Sequence, residues 1–208
     1  IAAFGASAVC LSALLRGATP NLLAVAVAVL VLFGFFFQLR VADEHKDNED
    51  DTKYRPERPV PRGLVTLKEL RGVAMAVAVA QVGLTVLLDW TLFALLLAVW
   101  GWLAIMTKEF FVPEWLNKRP LLYMVSHMAI MPLIDLYATA CDWLAAGVAL
   151  HEDFGLTLGA FLLLSLVNGT AIEIARKCWA PEQEREGVET YSRLWKLGPA
   201  GVAVMGVV

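Results

Sequence analysis

The sequence predicts an all-α, polytopic transmembrane helical bundle of about seven spans. Three observations lead there. Hydrophobic residues make up 59% of the 208-residue chain, and mean hydropathy is +0.64, whereas ordinary soluble chains are about 45–50% apolar. Apolar runs, several near the ~20 residues that span a bilayer, alternate with short polar turns and longer charged loops. Lys and Arg fall almost entirely on alternate loops, as single spans between them require.

In order, the first run, about 1–16, is short for a span. Arg16 to Asn21 turns around Gly17 and Pro20. The second run, about 21–41, is a full span ending at Arg40 and an acidic stretch. The third, about 67–88, starts after Thr66, a fitting N-cap. Asp89-Trp90 marks a short turn before the fourth run, about 91–107. Lys108 to Arg119 is a polar loop with aromatic anchors, suited to an interface. The fifth run is about 120–141, and His151, Glu152 and Asp153 lie in the next turn. The sixth is about 155–175; Arg176 to Lys196 is a second large charged loop, and a last run starts near Leu197.

If each run crosses once, the loops after the second, fourth and sixth runs share one face. Sixteen of the 17 Lys and Arg lie there or at its helix ends, with Arg16 the exception. The positive-inside rule makes that face cytoplasmic. The other face carries mainly Asp89, Asp142, His151, Glu152 and Asp153.

The composition also excludes classes. A net charge of −3, with no basic tract interleaved with aromatics, argues against a nucleic-acid partner. Cys10, Cys141 and Cys178 lack metal spacing and imply no disulfide framework. No basic n-region precedes the first run, so a signal peptide is not expected. The chain opens and closes inside apolar runs, and 1–208 is expected to be a single transmembrane domain incomplete at both ends.

The chemistry concentrates in Asp43 to Gly63, DEHKDNEDDTKYRPERPVPRG. Asp47 and Asp51 are four apart and share a helix face; Asp43 and Glu44 sit one turn earlier. Like charges this dense repel unless a cation sits among them. Arg55, Arg58 and Arg62 follow among Pro56, Pro59 and Pro61, which stiffen a loop and stop a helix. Carboxylates beside a rigid basic loop suit a Mg2+-bound phosphate, because Mg2+ takes oxygen ligands and shares its shell with substrate phosphates.

This stretch resembles the first aspartate-rich motif of the UbiA family of membrane prenyltransferases, N-D-x-x-D-x-x-x-D followed by (K/R)-P-x-R-P-(I/L/V)-x-x-G. Here Asp43 to Asp51 and then Arg55 to Gly63 keep the spacing, with Asp43 in place of Asn and Glu44 in place of Asp. Lys118-Arg119 resembles the end of the family's Y-x-x-x-K-R, with Glu114 replacing Tyr. The family's second D-x-x-x-D precedes a G-V-x-(S/T) stretch. Gly187-Val188-Glu189-Thr190 resembles that ending, but the aspartate slots hold Trp179 and Gln183, or Ala180 and Glu184 with one deletion. Glu173, Glu182, Glu184 and Glu186 remain as substitutes.

The resemblance implies a UbiA-type helical bundle around a lipid-open cavity. It implies Mg2+-dependent transfer of a polyprenyl group from a prenyl diphosphate to a small, aromatic acceptor. Asp43, Glu44, Asp47, Asp51, Glu173, Glu182 and Glu184 would be metal ligands, and Asp47 and Asp51 the central ones. Lys118, Arg119 and Arg58 would stabilise departing charge, and Lys53, Arg55 and Lys177 would contact the diphosphate. Within the fifth span, His127 would contact the acceptor, and Asp135 is an intramembrane ionisable group. Met124, Met128 and Met131 either line a lipid-tail cavity or pack the core.

Other readings stand beside each of these. Glu173 and Lys177 are also an i, i+4 helix-end pair, Lys118 and Arg119 also fit interfacial anchors, and His127 also fits an interhelical hydrogen bond. Two other functions remain open: phosphoribosyl transfer to a polyprenyl phosphate, and a non-catalytic membrane lipid-binding or transport protein.

Overall fold

The computed structural model describes residues 1–148, 152–184, 188 and 190–196, all helix, turn and loop. The α-helices are α1 (Ala2–Leu15), α2 (Leu22–Lys46), α3 (Asn48–Tyr54), α4 (Leu67–Leu88), α5 (Phe93–Thr107), α6 (Pro113–Asn117), α7 (Pro120–Met128), α8 (Ile130–Trp143), α9 (Glu152–Arg176) and α10 (Tyr191–Leu194). Among the described residues, five segments are long and apolar enough to cross a membrane: Leu22–Lys46, Leu67–Leu88, Trp90–Thr107, Pro120–Trp143 and Gly155–Arg176. They match the second to sixth apolar runs, and the chain is a multi-pass membrane protein. Seven spans were expected. The first run forms a 14-residue helix, about 21 Å long at 1.5 Å per residue and short of a ~30 Å core. The last run, from Leu197, lies outside the described residues, as do His151, Glu186, Gly187 and Glu189.

Helix ends follow local chemistry. Asn21 Oδ1 accepts from Leu23 N at 2.8 Å and opens α2. Thr66 and Glu69 form a reciprocal capping box on α4. After α1, Gly17 adopts φ +67, while Ala18 N donates to Ala13 O and Gly17 N to Leu14 O, both at 2.9 Å. This left-handed stop satisfies carbonyls that the helix leaves open. The fifth span breaks between α7 and α8 at Ala129. Pro132 cannot donate to Met128 O, four residues earlier, which accounts for the break.

Two helices hold the bundle. α2 packs on α1, α4, α5 and α8, and α8 packs on α1, α2, α5 and α9. Val31, Leu32, Phe35, Leu96, Ile134 and Tyr137 are fully buried between them and their neighbours, with Phe35 edge-on to Tyr137 at 5.6 Å. α4 buries one side, against α2 and its neighbours; Met75, Val79 and Leu87 point outward at 63%, 71% and 67% exposure, as lipid-facing residues do. A Cβ on Gly34 would lie 2.7 Å from Gln81 side-chain atoms, so glycine permits the close approach of α2 and α4. There Gln81 Nε2 donates to Val31 O at 2.9 Å, and Gln38 Nε2 donates to Gln81 Oε1 at 2.8 Å. Trp100 Nε1 donates to Gln38 Oε1 at 3.0 Å, bringing in α5.

At the opposite end of the bundle, Arg16 grips Asp142 with two donors at 2.8 and 2.7 Å, and Ser12 Oγ donates to the same carboxylate at 2.7 Å. The Asp142 side chain is 1% exposed. Arg16→Gln should leave it under-compensated and cost about 2 kcal/mol, discounted from a fully buried pair because Arg16 stays partly open. A lower melting temperature in detergent is the expected result, and an unchanged one would mean the pair contributes nothing.

Candidate functional site

A cavity of about 1000 Å³ opens where the C-terminal ends of α2, α5 and α9 meet α3 and α7. Its mouth is charged, with Asp43, Lys46, Asp47, Asp50, Asp51, Arg55, Arg58, Glu173, Arg176 and Lys177 on its wall. Its inner wall is apolar: Phe36, Leu39, Met106, Met124, Met128 and Met131. Residues from Asp43 to Arg58, the start of the fifth span and the end of the sixth therefore share one wall, as their alternation in sequence required.

The acidic stretch does not run as one helix. α2 ends at Lys46, Asp47 forms the joint at φ −91, ψ 4, and α3 carries Glu49, Asp50 and Asp51 in its first turn. Carboxylates there are favoured by the helix dipole. Pro56 ends α3, because the residue before proline avoids helical geometry; Arg55 sits at φ −140, ψ 55. The chain then folds back. Asp51 is 2% exposed, and its carboxylate takes Arg55 at 3.3 Å and a close contact from Arg58. Gly63, at φ +74, closes the loop as Leu64 N donates to Pro59 O at 3.0 Å.

Asp51 is thus a loop clamp with both oxygens engaged. Among the described residues, Asp43 and Asp47, one turn apart on the same wall, accept no side-chain hydrogen bond and form no ion pair. No group of three or more metal-binding side chains converges among the described residues. A Mg2+ shell built on two carboxylates and completed by waters and phosphate oxygens fits this pair; an all-protein cage does not.

The other predicted site residues divide. Glu44 is buried at 7% but turns to Arg40 within α2 and stays off the cavity wall. Lys53 lies over the Tyr54 ring at 4.6 Å, outside the cavity. Lys118 is exposed. Arg119 folds back on α6, its Nη1 donating to Trp115 O at 2.9 Å and its guanidinium 4.2 Å from the Trp115 ring. Glu173 is on the wall but holds Arg176 at 2.8 Å and Lys177 at 3.3 Å. Glu182 is exposed. Glu184 accepts from Ser192 Oγ at 2.6 Å and Thr190 Oγ1 at 2.7 Å, which hold its carboxyl below the usual range. Neither glutamate lines the cavity. Asp135 is fully buried on α8, away from the cavity wall.

His127 lines the cavity, with its ring stacked on Tyr123 at 4.0 Å and 12°. Its Nδ1 lies 2.8 Å from Tyr123 O. A carbonyl only accepts, so Nδ1 carries the proton and Nε2 keeps its lone pair. That Nε2 is buried without a hydrogen-bond partner among the described residues.

Several wall residues escaped sequence reasoning. Lys46 Nζ lies 2.6 Å from the Tyr123 hydroxyl and pairs with Glu109. Glu109, Phe110 and Phe111 all have positive φ, at 48, 55 and 61. A left-handed turn of ordinary L-residues costs roughly 1–2 kcal/mol per residue. Phe110 wedges edge-on between Trp102 at 5.5 Å and His127 at 5.9 Å, which holds the turn. Tyr191, which burial pushes up to about 12, stays a neutral phenol on the wall. The Tyr123–His127 spacing of four was a readable stacking signal. Nothing in KEFF foretold the left-handed turn, because it lacks Gly and Asn.

No protein-family model, curated protein or solved structure matches this chain.

If Arg58 acts through Asp51, their effects must not add. Proteolysis of the 55–64 loop should accelerate in Asp51→Asn and in Arg58→Gln, and the double variant should be cut no faster than the worse single. Additive acceleration would separate the two residues.

Proposed function

We propose that this protein is a UbiA-like membrane prenyltransferase. It transfers a polyprenyl group from a prenyl diphosphate to a small, aromatic acceptor, with Mg2+. One observation carries the reading: one cavity joins Asp43 and Asp47, which form no ion pair among the described residues, and several cations to a methionine-lined apolar wall. That combination suits an amphiphile with a phosphorylated head and an isoprenoid tail, taken from the bilayer. The family's motif spacing from Asp43 to Gly63 supports the same chemistry.

In this reading Asp43 and Asp47 hold Mg2+, which neutralises charge on the diphosphate when bound. Arg55, Arg176 and Lys177 face the diphosphate, where fixed cations stabilise departing charge in a site poor in water. Met124, Met128 and Met131 hold the chain; flexible thioether side chains fit irregular apolar shapes. His127 Nε2 accepts a hydrogen bond from the acceptor. Lys118 and Arg119 serve as interfacial anchors rather than as leaving-group contacts.

A second reading has an observation of its own. Two of the glutamates that would rebuild a second acidic site are engaged, Glu173 by two cations and Glu184 by two hydroxyls. A single carboxylate pair also suits phosphoribosyl transfer to a polyprenyl phosphate. Release of diphosphate from a panel of prenyl diphosphates, against phosphoribosyl diphosphate with a polyprenyl phosphate, separates the two. Mg2+-dependent turnover with a prenyl donor is expected, and Asp47→Asn should lower it by orders of magnitude while the protein still folds. Wild-type turnover in that variant would remove the metal assignment.

The proposal puts the charged mouth in the cytoplasm, on the strength of the one-sided Lys and Arg count. Arg62→Cys and Asn117→Cys, at exposed positions, should resist impermeant thiol reagents in intact cells and react after permeabilisation. Labelling of either in intact cells would reverse the topology.

A further inference from the structure

Each cation on the cavity wall is already held by an anion, but the holding differs. Arg55 and Arg58 share Asp51, whose side chain is 3% exposed, and withdrawing them would strand a buried carboxylate. Arg176 and Lys177 share Glu173 within their own helical stretch, two cations to one anion. Arg40 holds Glu44, 8% exposed, within α2. Lys46 alone is held from another segment, by Glu109, 63 positions along the chain. Glu109 opens the turn whose three residues all lie in the left-handed region. Lys46 also adjoins Asp47, follows Asp43 by three residues, and contacts the Tyr123 hydroxyl on the same wall.

We propose that Lys46 is a diphosphate-binding residue masked by Glu109, an internal counter-anion that the incoming headgroup displaces. The proposal rests on the reading that the cavity takes a phosphorylated ligand. Two anions compete for one ammonium. Glu109 holds it from a left-handed turn, so exchange for phosphate oxygens would let that strained turn relax as the new ion pair forms. Tyr123 steadies Lys46 in either state, since its hydroxyl lies 2.6 Å from Nζ and 3.4 Å from Glu109 Oε1. Glu109 therefore works against the ligand, and its removal strengthens binding. A residue that merely braced the fold would do the opposite.

The test uses the full chain in phosphatidylcholine nanodiscs, with Mg2+ and inorganic pyrophosphate as the probe. Glu109→Gln should bind pyrophosphate about threefold or more tightly than wild type, the range of a partly screened ion pair. Lys46→Gln should bind about tenfold more weakly, the scale of a lost charge-assisted contact. Hydrogen exchange of the 109–112 amides in the wild type should speed up on adding pyrophosphate, a readout that needs no variant. Equal or weaker binding by Glu109→Gln, or slower exchange in the turn, overturns the mask while leaving the cavity's phosphate reading intact. No binding to wild type removes both. Phosphatidylglycerol nanodiscs form the second arm: if they free the turn without pyrophosphate, and pyrophosphate adds nothing, the displacing group is a lipid headgroup and the assignment to diphosphate fails.

Discussion

The clamp of Asp51 between Arg55 and Arg58 is the constraint on which the cavity depends. Arg58 lies seven positions after Asp51, with Pro56 between. The ion pair therefore bends the loop back over its own helix. With it, Arg55 and Arg58 are delivered to the wall that Asp43 and Asp47 line. A carboxylate at 2% exposure is tolerable only because two guanidinium groups reach it. The wall's charge is thus set by a contact that brings no ligand of its own.

Hydropathy made the spans legible, since the membrane forces backbone polar groups to pair within each helix. The boundaries of α4 and the break before Pro132 were likewise written in local chemistry: a capping pair and a missing donor. Convergence of the charged loops was legible too, from the alternation of basic loops alone. Which carboxylates stay open was not. Asp47 and Asp51 both line the cavity, as their spacing of four suggests, but Asp51 is taken up by Arg55 and Arg58, which the chain brings back after Pro56. Lys118 and Arg119 lie off this cavity wall for a related reason. Their place in sequence marks the start of the fifth span, whereas the direction of a long side chain depends on its neighbours, here Trp115.

The polar contacts inside the membrane explain why the cavity walls keep their register. Gln38, Gln81 and Trp100 link α2, α4 and α5, and Thr85 meets the Tyr137 hydroxyl at 2.6 Å to link α4 to α8. Apolar helix faces slide easily in lipid, because lipid tails are as apolar as the faces themselves. Hydrogen bonds between single residues do not slide. Gly34 lets Gln81 approach close enough to make two of them. The α2 end that carries Asp43, Lys46 and Asp47 is therefore fixed along the bundle axis two turns below the mouth.

That fixed platform faces a wall of a different kind. α7, separated from α8 by the break at Ala129, presents Tyr123 and His127 together, and the strained Glu109–Phe111 turn leans on His127 through Phe110. Strain of this size persists only where surrounding contacts over-determine it. Here one apolar contact set and one ion pair do so, and the ion pair reaches across to the rigid side through Lys46. The two walls are therefore joined at their charged rim by a contact exposed to whatever anion the cavity receives. Their apolar floor is bounded by methionines from α5, α7 and α8. If the proposed ligand binds, its charged head would meet the rim and its tail the methionine floor, so the two would be recognised by separate means.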